Sequence, residues 1–75
     1  MANHGKGDTD RDTVEVNVGY DGIDGKNAAM DTAVEVVREF ESLEVVTIRI
    51  SREDWAELDD HPEIRYIEKN GQTGA

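Results

Sequence analysis

Apolar and polar residues alternate near the start of the chain, where Val14, Val16, Val18 and Tyr20 interleave with Glu15, Asn17 and Gly19. A period of two predicts a strand with one face in the core and one facing out. Asp21-Gly22 and Asp24-Gly25 follow, and these dipeptides predict a turn or loop. Between residues 26 and 43 the pattern supports two readings. Met30, Val34, Val37 and Phe40 fit a helical stripe, yet the β-branched residues gather in the second half. We read a helix over about 25–34 and a strand over about 35–41, because the next segment needs an antiparallel neighbour. Ser42-Leu43 then forms the tip of a hairpin.

That next segment, VVTIRI (45–50), places Val46, Ile48 and Ile50 on one face and Val45, Thr47 and Arg49 on the other. Ser51 and Asp54 have the spacing of a capping box, with the hydroxyl accepting from the Asp54 amide and the carboxylate reaching back. Trp55 and Leu58, three apart, supply the buried stripe of the second helix. Pro62 stops that helix and biases His61 toward extended backbone. Ile64 to Ile67 reads as a last strand, closed by Asn70-Gly71. Strand, helix, strand, strand, helix, strand is the order of a ferredoxin-like βαββαβ fold. The expected class is therefore α+β, a four-stranded antiparallel sheet with two helices on one face.

Composition narrows the picture. A chain of 75 residues without cysteine holds one small domain, with neither disulfides nor thiolate zinc to supplement its core. Residues 13–70 carry the patterning. Residues 1–12 read as a disordered polar tail without the apolar run of a signal peptide, and 71–75 as an extended C-terminal tail. No stretch approaches the ~20 apolar residues that span a bilayer. Eighteen acidic against eight basic residues give a net charge of −10. Such a charge repels nucleic acid and anionic membranes, so neither is expected as a partner. The acids are dispersed and Arg outnumbers Lys five to three, a composition suited to high salt, where cations screen self-repulsion.

Candidate chemistry is sparse, and no enzyme activity or cofactor is expected. Ser42 sits at a hairpin tip, Ser51 caps a helix, and His4 and His61 have no partners spaced as a catalytic triad. Asp21, Asp24 and Asn27 suggest a calcium loop, but the twelfth position from Asp21 is Thr32 rather than the closing glutamate. They read as a solvated turn, as does the acidic cluster at 59–63, and no metal is expected. The segment GYDGIDGK has glycines but places carboxylates where a phosphate would lie. What remains is recognition through shape.

From Phe40 to Asn70 the chain resembles the second half of a subtilisin-type prodomain, the family of propeptides and inhibitors of subtilisin-like serine proteases. The resemblance rests on an aromatic in the second strand, an acidic hairpin tip, a polar cap and a helix with a leucine near its end. Its strongest part is the spacing of Pro62, Tyr66, Ile67, Glu68 and Asn70. Residues 14–34 share only the periodicity.

The resemblance implies inhibition of a subtilisin-like serine protease, and in a prodomain also assistance to its folding. It implies that Gly71, Gln72, Thr73, Gly74 and Ala75 occupy the protease cleft as an added strand, with Ala75 facing the nucleophile. It further implies that the sheet docks on two surface helices of the protease, with Glu41 and Glu44 at their N-termini. A carboxylate is favoured beside the free amides of a helix start, although a solvated hairpin end would hold the same residues. Gln72 departs from the apolar residue that many members carry there. A free inhibitor would be a cytoplasmic monomer, whereas an excised prodomain would be extracellular. The alternative is a small acidic interaction or regulatory domain with no protease target.

Overall fold

The computed structural model describes residues 13–70. Seven elements follow in order: β1 (Thr13–Tyr20), α1 (Gly22–Thr32), β2 (Glu35–Phe40), a 3-10 turn (Glu41–Leu43), β3 (Val45–Ser51), α2 (Arg52–Asp59) and β4 (Ile64–Lys69). The strands form one sheet in the order β2-β3-β1-β4, every neighbouring pair antiparallel. This is the α+β, ferredoxin-like arrangement expected from the patterning.

Alternation builds the core. Val16 and Val18 on β1 pair with Ile48 and Val46 on β3, and all four are fully buried with Ile50. Tyr20, Ala29, Leu58 and Ile64 complete the cluster, against which Met30, Trp55 and Ile67 are partly buried. Both helices lie over this face and against each other, α1 on β1 and β3, α2 on β3 and β4. The opposite face of the sheet carries no helix among the described residues.

Three boundaries differ from expectation. The helix begins at Gly22 rather than about Gly25, so Asp24-Gly25 lies within α1 instead of forming a loop. The reason is tertiary: a Cβ on Gly25 would stand 2.5 Å from the Glu63 carbonyl oxygen, so glycine lets the first turn pass close under the α2–β4 connection. The Asp21 amide donates to that same carbonyl at 2.8 Å. The helix also stops at Thr32, two residues short, and leaves Val34 exposed. The second strand ends at Phe40, because Glu41 opens the 3-10 turn. The split of 26–43 into helix and strand stands, and so does the Ser51 cap, whose hydroxyl accepts from the Asp54 amide at 3.1 Å.

The register slips twice. Between Gly19 and Tyr20 the pairing jumps from Tyr66 to Ile64, so Arg65 is the extra residue. Between Val36 and Arg38 it jumps from Ile48 to Thr47, so Val37 is extra. Each bulge turns a side chain away from the regular alternation.

Candidate functional site

The helix-free face of the sheet is shallowly concave, with a cavity of about 490 Å³. Its halves differ in character. Towards the 3-10 turn it is apolar: Val37, Phe40, Leu43, Val45 and Tyr66 line it. Leu43 is 65%, Tyr66 40% and Phe40 36% exposed, so large apolar side chains meet solvent on one surface. The Arg38 guanidinium lies 5.6 Å from the centroid of the Phe40 ring, near enough for a cation–π contact. Tyr66 is held flat because it pairs with Gly19, where a methyl group would overlap its ring. An aromatic resting on a backbone glycine loses little freedom when a partner covers it.

The other half is polar and internally bonded. The Thr47 hydroxyl donates to Asn17 Oδ1 at 2.6 Å, and Asn17 Nδ2 donates to Asn70 Oδ1 at 3.3 Å. Asn70 Nδ2 in turn donates to Glu15 Oε2 at 2.7 Å, while Glu15 Oε1 stands 3.8 Å from Arg49 Nη1. This ladder crosses β3, β1 and β4 and leaves Thr47 only 4% exposed on a face without a helix. A hydroxyl that is shielded from water needs such a partner.

Glu41 and Glu44 come together, but not over that concavity. They border a second hollow of about 280 Å³ at the start of α1, beside Tyr20, Gly22, Ile23 and Lys26. Lys26 Nζ donates to Glu41 Oε2 at 2.7 Å and stands 3.4 Å from Glu39 Oε1. The hydrogen bond from Lys26, then its charge, lowers the pKa of the Glu41 carboxyl, and the bond to Glu41 is the main cause that raises the pKa of Lys26. Glu44 has left-handed backbone, φ 57°, which a non-glycine residue adopts at a cost. Its Oε2 accepts from the Gly22 amide at 3.3 Å, and its Oε1 lies 3.8 Å from Arg65. Arg65 also reaches Asp21 at 3.2 Å, directed there by its bulge. Glu44 therefore sits at the N-terminus of a helix of its own chain, where the free amides favour a carboxylate.

The five cleft-binding candidates, Gly71, Gln72, Thr73, Gly74 and Ala75, lie outside the described residues. Their root does not. Asn70 follows the edge strand β4, and its amide donates to the Glu15 carbonyl at 2.9 Å. The polar ladder and the Tyr66–Gly19 stack escaped the sequence reading. Positions 15, 17 and 19 were legible as the outward face of a strand, but only register says what stands opposite them. His61 Nδ1 accepts from the Glu63 amide at 3.1 Å, a local turn contact. Among the described residues no three histidines or carboxylates gather as a metal-ligand set, and no helix is long and apolar enough to cross a membrane. Comparison with protein-family models, with curated proteins and with solved structures returned no match.

Proposed function

We propose that this chain inhibits a subtilisin-like serine protease, without itself being an enzyme. Residues 71–75 occupy the substrate cleft in extended form, and the helix-free sheet face docks beside it. One observation carries this reading. The strand bearing the family-like spacing, β4, is an edge strand, and it contributes Tyr66 to the exposed apolar half of the face. An arm that leaves this edge and a body surface that adjoins it are positioned to bind one partner together. Such linkage makes a five-residue arm effective, because the docked body raises its local concentration. The arm alone covers far less than the ~800 Å² per partner of a standard interface.

Glu41 and Glu44 enter this reading in altered form. Both carboxylates are engaged within the chain, so service at protease helix starts would require exchanging Lys26 and the Gly22 amide for new donors. We accordingly assign the main docking contribution to Phe40, Leu43 and Tyr66, with the two glutamates contributing at most about 0.3–2 kcal/mol each. The test is a titration of subtilisin activity with the full chain, with a trypsin-like protease as control. Competitive inhibition of subtilisin alone is expected, and it should disappear on deletion of 71–75 while the circular dichroism spectrum is retained. Tyr66→Ala should weaken it more than Glu41→Gln with Glu44→Gln. Absence of inhibition by the folded full-length chain would refute the reading, and undiminished inhibition after the deletion would refute the mechanism.

A further inference from the structure

We propose that the helix-free face of the sheet is a self-association surface. A second copy of this chain packs on it face to face, about a two-fold axis that runs parallel to the strands between β1 and β3. The inference goes beyond the inhibitor reading and stands on the register of the sheet. Three rows of residues cross this face from β2 to β4. Phe40, Val45, Gly19 and Tyr66 form the first. Arg38, Thr47, Asn17 and Glu68 form the second. The third runs from Glu35 through Arg49 and Glu15 to Asn70, whose amide donates to the Glu15 carbonyl.

Each row is the complement of its own reverse. An axis parallel to the strands lays β2 over the partner's β4 and β3 over its β1, and it keeps the rows level, so every contact occurs twice. Phe40 then faces the partner's Tyr66, and both aromatics meet solvent in the single chain. Arg38 faces the partner's Glu68, and neither has an ion-pair partner in its own chain among the described residues. Arg49 faces the partner's Glu15, which joins two existing pairs into one group. Glu35 faces the carboxamide of the partner's Asn70. No like charges meet in the three rows. An axis across the strands, through the second row, would instead lay Arg38 on Arg38 and Glu68 on Glu68. Facing sheets keep their strands within about 30° of each other, which moves the edge residues by a few ångströms, within reach of arginine and glutamate side chains.

The distribution of charge favours the same face. The chain carries −10, yet these rows hold two arginines against three glutamates. Nearly all the excess acid lies elsewhere, so two copies approach here with the least repulsion. Area sets the strength. Four strands about 4.8 Å apart, each about six residues of about 3.4 Å, give roughly 400 Å² of face. A standard interface covers ~800 Å² per partner, so this dimer is weak, with a dissociation constant of about 10–1000 μM. The inhibitor reading uses the same face, and dimer and protease complex therefore exclude each other.

Sedimentation of the full chain without protease tests the proposal, and its outcome is independent of whether the chain inhibits. A monomer–dimer equilibrium that stops at two copies is expected. At the lowest salt in which the parent dimerises, Arg38→Glu and Glu68→Arg should each weaken self-association by about tenfold or more, because both contacts then join like charges. Mixed together, the two variants should form a one-to-one dimer, since each of its two contacts again pairs opposite charges. That association also shows both variants to be folded. In the parent, amide resonances of Phe40, Thr47, Asn17 and Glu68 should move with concentration, while those of α1 and α2 stay in place.

A parent chain that stays monomeric up to about 1 mM, from the lowest salt that folds it to about 1 M, would overturn the proposal. Single variants that dimerise like the parent would place the contact on another surface, such as an edge strand, and overturn it too. Variants that fail both alone and together would rule out the strand-parallel axis. Concentration-dependent shifts centred on the helices would do the same for the face.

Discussion

Leu58 shows how much one side chain carries in a domain this small. It is 3% exposed and joins α2 to the cluster formed by Val16, Val18, Val46, Ile48 and Ile50. Leu58→Ala removes three buried carbons and leaves a cavity, so it should cost about 2–5 kcal/mol. A single core of this size rarely supplies more than ~3–5 kcal/mol in total. Thermal and urea melts should therefore find most of the variant unfolded near 25 °C. A melt that superimposes on the parent would show that α2 does not depend on this contact. Trp55, predicted to share the stripe, is only partly buried at its side of the core. Its loss should be felt less than that of Leu58, despite its larger volume.

At the scale of elements, α2 and β2 illustrate two sources of order. The second helix has eight residues, too few to persist alone, and its first turn holds Glu53 and Asp54 beside the Ser51 cap. Ser51→Ala removes the acceptor of the Asp54 amide and should destabilise the domain by about 0.5–2 kcal/mol. Ser51→Asp should recover most of that loss. If the alanine and aspartate variants melt alike, the cap contributes nothing beyond geometry. The second strand is the reverse case. All six of its residues are exposed, and its only strand neighbour among the described residues is β3, with Glu39 also paired to Lys26 on α1 at 3.4 Å. Val36 and Val37 stay in solvent on this edge, where the bulge at Val37 and the charges of Glu35, Arg38 and Glu39 interrupt a continuous apolar ribbon. Such interruptions oppose edge-to-edge pairing.

Across the whole molecule, charge opposes compaction. A net charge of −10 on 75 residues is offset within the described residues by few close pairs: Lys26 with Glu39 and Glu41, Arg65 with Asp21 and Glu44, and Arg49 with Glu15. These are surface pairs, each worth little. Screening of the remaining repulsion should favour the folded state, since the Debye length falls from about 30 Å at 0.01 M to about 3 Å at 1 M salt. Circular dichroism melts across that range should therefore show the midpoint rising with salt. A midpoint already maximal in low salt would remove the argument for a high-salt protein. The same measurement sets the buffer in which the inhibition experiments must be run.

How much was legible beforehand depended on the range of the interactions. Alternation at 14–20 and 45–50, the Ser51 cap on the Asp54 amide and the Pro62 stop are local signals, and each appears in the structure where the chain placed it, although the Asp54 carboxylate does not reach back to close the capping box. Side-chain period and capping act over a few residues, so sequence alone determines them. The start of α1 was not legible, because Asp24-Gly25 is a breaker in isolation and becomes a close-packing glycine only beneath Glu63. The site divides in the same way. That Tyr66 and Glu68 share the outward face of a strand follows from alternation. That Tyr66 lies on Gly19, that Glu44 reaches the Gly22 amide, and that Asn70 closes a ladder through Glu15 and Asn17 could not be read. These contacts join residues 22 to 55 positions apart. Only the sheet order β2-β3-β1-β4 and the two bulges decide which distant residues meet, because register is a property of paired strands and not of either strand alone.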